Sequence, residues 1–180
     1  MKPILPDPVK LFFGILYSDD ERLRRAKELL REKYGRIDYE SEPFEFIITD
    51  YYAPEMGSTI SRLFLSHELL IQPDEIARIK LESNEIEDLL ALAGKRKVNL
   101  DPGYIDTCKA ILASAKYNGP KVYLGHGIYA DLTLYYEKGT FYPYPWSFPD
   151  FKTSQYNHSF LRIRELYKVQ LKKERRGGKT

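Results

Sequence analysis

The stretch Val9-Lys10-Leu11-Phe12-Phe13-Gly14-Ile15-Leu16 decides the fold. It is a nearly continuous apolar run of strand length. A strand with one wet face would alternate, so this one predicts a strand buried on both faces. Ser18-Asp19-Asp20-Glu21 follows and supplies an N-cap and first-turn acids for a helix over Asp19 to Tyr34. Leu23, Ala26, Leu29, Leu30 and Lys33 trace one side of that helix, and Gly35 stands where a C′ residue would close it. Upstream, Met1 to Pro8 holds three prolines and reads as an extended lead-in.

Downstream, Pro43 divides an extended region. Ile37 to Glu42 reads as an edge strand, and Phe44 to Tyr52 as the better strand. Ala53-Pro54-Glu55-Met56-Gly57 is a turn, and Ser58 to Leu70 resumes with β-type residues. Pro73-Asp74-Glu75 opens a helix whose inward stripe is Ile76, Ile79, Ser83, Ile86, Leu90 and Ala93, with Gly94 ending it. The competing reading leaves Ala77 to Leu81 extended and caps a fresh helix at Ser83-Asn84. Val98 to Leu100 is a short strand entering the turn Asp101-Pro102-Gly103. Lys109 to Ala115 fits helix or strand equally. Lys121 to Leu124 and Ile128 to Glu137 are strands, and Lys138-Gly139 makes a hairpin with Thr140 to Tyr144. A last amphipathic helix spans Ser154 to Arg175 with Phe160, Ile163, Tyr167 and Leu171 inward.

These elements predict an α+β fold with a mainly antiparallel sheet and two to four helices, in one domain with a basic C-terminal helix or tail over 161–180. The opening strand-helix-strand unit resembles half of a ferredoxin-like sandwich.

Charge is uneven. Residues 1–90 hold 12 Lys+Arg against 19 Asp+Glu, and residues 91–180 hold 16 against 7. Much of the excess sits in residues 161–180, with 8 basic and 2 acidic side chains. Such a tail suits a polyanion such as RNA, or simply a solvated helix end. The single cysteine, Cys108, excludes an intrachain disulfide and fits a reducing compartment. No apolar run nears the roughly 18 residues of a membrane span, and the cytoplasm is the expected location. His67, His126 and His158 lie at no metal-ligand spacing, so no metal site is expected from them.

Several segments can carry chemistry. Glu55-Met56-Gly57 with Arg62 offers outward amides and a bidentate cation, or a capped turn with a surface Arg. Arg96-Lys97-Val98-Asn99-Leu100-Asp101-Pro102-Gly103-Tyr104 presents Asn99, Asp101 and Tyr104 at a strand end beside positive charge, although Asp-Pro-Gly is also a sound turn. Gly125-His126-Gly127 is an anion nest or a tight bend. His126 with Asp131 is a candidate acid/base couple. The aromatic run Phe141 to Asp150 is a stacking platform or an arm whose rings close over one end of the sheet. Gly177-Gly178-Lys179-Thr180 lacks the earlier glycine of a phosphate loop and is set aside.

Five segments together resemble one prokaryotic family, domain of unknown function 4416, nearly end to end. They are Tyr51-Tyr52 through Glu55-Met56-Gly57 to Arg62; Ile79-Lys80-Leu81 with Asn84 and Glu87; Val98-Asn99-Leu100-Asp101-Pro102-Gly103-Tyr104; Gly127-Ile128-Tyr129-Ala130; and Trp146 with Pro149-Asp150. Two positions depart from the pattern: Lys121-Val122 stands where a basic pair is expected, and Asp131 where a Glu is. The resemblance implies no activity.

The expectation for function is a site that binds a small anionic, phosphate-bearing ligand such as a nucleotide, with action on that ligand as the further expectation. Arg62, Lys80, Arg96 and Lys116 would supply charge. Glu55, Asn99, Asp101 and Tyr104 would orient the ligand or hold Mg²⁺, with Glu55, Asp101 and His126 the candidates for catalysis. The alternatives are an RNA-binding module that uses residues 161–180 and exposed tyrosines, and a structural protein whose aromatic arm docks on another chain.

Overall fold

The computed structural model describes residues 1–49, 52–57 and 59–177. Among these residues nine strands form one antiparallel sheet: β1 (Val9–Tyr17), β2 (Ile37–Glu40), β3 (Phe44–Glu45), β4 (Ser61–Ile71), β5 (Val98–Ile105), β6 (Lys109–Ser114), β7 (Val122–Gly125), β8 (Ile128–Glu137) and β9 (Thr140–Pro143). Four α-helices accompany them: α1 (Asp20–Tyr34), α2 (Ala53–Met56), α3 (Ile76–Leu89) and α4 (Asn157–Gly177). The strand order is β2-β4-β1-β5-β6-β8-β7, with β3 on β4 and β9 on β8. Within it, β1-α1-β2 and β4-α3-β5 each cross over one intervening strand. Two such split units make the ferredoxin-like arrangement over Val9–Ile105, and β6 to β9 extend its β5 edge.

All nine residues of β1 are buried, as the apolar run predicts. Leu11, Phe13, Ile15 and Tyr17 face a core built with α1 and α3. Phe12 faces a second core with Phe64, Phe141, Phe151 and Phe160, beneath α4. The sheet is thus covered on both sides. α1 begins at Asp19, whose carboxylate accepts from the Arg22 amide at 2.9 Å, and stops at Gly35, φ 81°. α4 buries Phe160, Ile163, Tyr167 and Leu171, the residues its spacing selects. Lys138 and Gly139 both have positive φ at the β8–β9 hairpin.

Four expectations are corrected. Phe44 to Tyr52 forms only the two-residue β3. Phe46 leaves the ladder to bury its ring with Leu16, Met56 and Ile60, and Ala53–Met56 is a single helical turn with Pro54 in its first turn and Gly57 closing it. Residues 50 and 51 of that segment, Ser58 and the Gly178-Lys179-Thr180 end lie outside the described residues. α3 is one helix from Ile76, so no fresh helix starts at Ser83, and it ends at Leu89 rather than at Gly94; Ala93 is exposed with φ 50°. Asp101-Pro102-Gly103 is not a turn: β5 runs straight through it. Pro102 is tolerated because β6 pairs with β5 only from Gly103 onward. Gly103 does not have positive φ. It is glycine because an added Cβ would sit 2.1 Å from the Ile111 carbonyl oxygen and 2.6 Å from the Phe12 ring. Lys109–Ser114, open between helix and strand, is β6. No helix among the described residues is long and apolar enough to cross a membrane.

Candidate functional site

The site forms where two neighbouring strands part. β6 stays on β8 along Lys109–Ser114 but touches β5 only across Gly103–Ile105. Asn99, Leu100 and Asp101 therefore have β1 on one side and, among the described residues, no strand on the other. Unpaired backbone inside a fold is costly, and side chains from α3 take the place of the missing strand. The Leu100 amide donates to Glu87 Oε1 at 2.7 Å, and Lys80 Nζ donates to the Leu100 carbonyl at 2.8 Å.

Around that junction the polar side chains interlock. Arg96 grips Glu55 in a two-pronged pair, Nε to Oε1 at 2.7 Å and Nη2 to Oε2 at 2.8 Å. Its Nη1 donates to Glu87 Oε2 at 2.8 Å and to Asn99 Oδ1 at 3.1 Å. Asn99 Nδ2 donates to Asp101 Oδ2 at 2.8 Å, and Lys80 stands 3.4 Å from Asp101 Oδ1 and 3.7 Å from Glu87. Lys80, Glu87 and Asn99 are buried, whereas Asp101 keeps part of its carboxylate in reach of water. The bond to Arg96 holds the Glu55 carboxyl below the usual range. Burial pushes Glu87 up, against the pull of Lys80 and Arg96.

A second polar group lies on the sheet face that carries Asn99. Leu16 pairs with Arg62 on one side and with Asn99 on the other, so the two share one cross-strand row on the order of 10 Å long. Arg62 is 5% exposed. Its guanidinium is walled by the rings of Phe46, Phe151, Phe64 and Tyr156 at 5.1–6.0 Å and stands 3.3 Å from the Asp150 carboxylate. Its Nε and Nη1 are buried without a hydrogen-bond acceptor among the described residues. Gly14, beside Asp101 in the ladder, lies next to this group; a Cβ there would be 3.2 Å from the Phe64 ring and in ordinary contact, at 3.5 Å, with Arg62 Nη1. Further along, Lys121 pairs with Asp131 at 3.5 Å, both side chains buried. The aromatic arm lies against β8, tied down by Trp146 Nε1 and Ser147 Oγ donating to the carbonyls of Leu132 and Thr133.

Of the expected site residues, Glu55, Lys80, Arg96, Asn99 and Asp101 meet in one network. Lys116 contributes its charge to Glu55. Arg62 is two strands away on the same face as Asn99. Tyr104 is at the other end of β5, lining a separate cavity of about 300 Å³ with Asp106, Lys109 and Tyr167. His126 is exposed at the β7–β8 turn with φ 55°, between two glycines that also have positive φ. Asp131 takes Lys121 as its partner. No group of three His, Cys, Asp or Glu side chains among the described residues is arranged to hold a metal ion. The residues that sequence reasoning passed over as site members are Glu87, Lys121 and Asp150. Glu87 has a signal: with Lys80 and Ser83 it stands at i, i+3 and i+7, a polar row on the inward side of a helix.

Searches of curated proteins and of solved structures return no match. Residues 7–167, nearly the whole chain, match the family described as domain of unknown function (DUF4416), and the chain belongs to that family.

Proposed function

We propose that the protein binds a small anionic, phosphate-bearing ligand, such as a nucleotide, at the end of the sheet between Arg62 and Asp101. The observation that carries this is the state of the cations. Lys80 and Arg96 are held by Glu55, Glu87 and Asp101, and Lys80 also serves the Leu100 carbonyl of β5. Arg62 is ion-paired as well, with Asp150 at 3.3 Å, but it differs in hydrogen bonding, because its Nε and Nη1 are buried with no hydrogen-bond acceptor among the described residues. An unsatisfied buried donor costs about 1–3 kcal/mol, which an incoming anionic oxygen would recover. Arg62 is then the anion anchor, Asn99 and Asp101 orient the ligand, and the rings around Arg62 keep water out. Mg²⁺, where used, would arrive with the phosphates, since no cluster of side chains for it stands among the described residues. Any transformation of the bound molecule would use the part-exposed carboxylate of Asp101, two residues along β5 from Asn99.

Thermal shift against nucleotides and sugar phosphates, with and without Mg²⁺, tests the reading. Stabilisation of the wild type is expected, with loss in Arg62→Lys, which keeps the charge and removes the fork. No response to any phosphate-bearing compound overturns it.

Use of α4 to bind RNA is the second reading. Lys168, Lys172, Lys173 and Arg176 are exposed on α4. Three other arginines there are committed: Arg162 to Glu165, Arg164 to the Tyr136 ring and the Thr107 carbonyl, and Arg175 to Asp7. That reading requires RNA affinity that falls steeply with salt.

A further inference from the structure

The two edges of the sheet are built differently. The β2 edge is short, bulged between Ile37 and Tyr39, and charged: Asp38 is tied to Lys10 and Glu40 to Lys27. Those are the devices that stop a strand edge from recruiting another. The β7 edge is equally short and has a register shift of its own between Tyr123 and Gly125, but it lacks the charges. Val122–Gly125 contains no charged residue and no proline, and it pairs with β8 on one side only. Lys121, which precedes it, is neutralised by Asp131 and buried. Apolar surface gathers at the same edge: Tyr117, Val122, Tyr123, Leu124, Trp146 and Phe148 are 72, 53, 61, 39, 43 and 53% exposed. Tyr117 and Tyr123 both pack on Tyr129, and Trp146 stacks on Tyr144 at 11°, so these rings are held in place before any partner arrives.

We infer that the β7 edge is the interface for a second copy of this chain, joined antiparallel about a two-fold axis so that the sheet continues from one copy into the other. Unpaired strand backbone is complementary to another strand, and a second copy brings the same uncharged edge. The guarded β2 edge cannot accept β7, so the assembly closes at two copies and does not run on as a filament. With aromatic side chains of roughly 150–250 Å², the six residues expose on the order of 600 Å² per copy. Two copies would bury at most about 1,200 Å², the lower end of a stable interface, so the dimer dissociates on dilution. This holds independently of whether a phosphate compound binds near Arg62.

Sedimentation equilibrium of the full chain over a concentration series is the test. The apparent mass should rise from 21.1 kDa towards twice that value. Val122→Lys alone should weaken the rise, and Val122→Lys with Leu124→Lys should abolish it. Both positions are exposed, and an unchanged far-UV circular dichroism spectrum identifies the variants as folded. Val169→Lys, at an exposed apolar site on α4, should leave association intact. A wild type that stays at 21.1 kDa throughout, or a folded double variant that still dimerises, overturns the inference.

Discussion

His67 is wholly buried on β4, between the rings of Phe13 and Tyr34. Its Nδ1 lies 2.9 Å from the Gly35 carbonyl, which can only accept, so Nδ1 carries the proton and Nε2 is a bare acceptor with no partner among the described residues. Protonating Nε2 would bury a charge in an apolar wall, and that burial drives the pKa down to about 4. The unfolded chain binds the proton near pH 6.5, the folded one only near 4. Stability is therefore complete above 6.5 and declines as pH falls to about 4, by about 3 kcal/mol in total. Urea denaturation at pH 7, 5.5 and 4 should show this decline in the wild type and a flatter one in His67→Gln, whose amide can still donate to Gly35. Equal slopes would mean that carboxylates alone account for the acid loss. Glu87 makes a related point about reading a sequence. A charged residue inside a helix pattern looks like a solvated position until the missing strand beside β5 is known, because only then does its carboxylate have a backbone amide to serve.

At the scale of elements, periodicity was informative wherever one element met one environment. β1, α1, β8 and α4 were all readable, because apolar spacing reports burial directly. It failed where a non-local partner overrode local chemistry. Asp101-Pro102-Gly103 has the composition of a turn, yet it is straight because β1 pairs along all of β5 and Gly103 must admit the Ile111 carbonyl and the Phe12 ring. Gly14 and Gly103 are both strand glycines without positive φ, and they should respond differently to the same change. Gly14→Ala meets the Phe64 ring at 3.2 Å, a contact that a small ring shift relieves, so a loss of about 1 kcal/mol is expected. Gly103→Ala meets backbone at 2.1 Å and forces β5 from β6, a loss well above the ~3 kcal/mol usual for overpacking. Chemical denaturation midpoints would rank the two. If Gly103→Ala were as mild as Gly14→Ala, the close approach of β5 to β6 would be wrong, and with it the junction on which the polar network stands.

For the whole molecule the question is whether the two cores behave as one. α1 and α3 cover one face and α4 the other, and α4 arrives last in the chain. What joins the layers is β1, which buries alternate residues in each, together with the buried Lys10, whose ammonium reaches Asp38 on β2 and Gln170 on α4. A strand that contributes to both cores cannot keep one of them after losing the other, so unfolding should be a single cooperative transition. Phe160 offers the probe. It is fully buried and touches Phe12, Phe64, Phe141 and Phe151. Phe160→Ala should cost about 3–5 kcal/mol. Far-UV circular dichroism reports all helices and strands, whereas fluorescence reports Trp146, the only tryptophan, on the arm. Both signals should move together to the same lower midpoint in the variant. A fluorescence change that precedes the loss of secondary structure would show the α4 and arm layer peeling from a sheet that survives with α1 and α3 alone. In that case the face carrying Arg62 and Asn99 would be a separable cover over the ferredoxin-like half, and not part of its core.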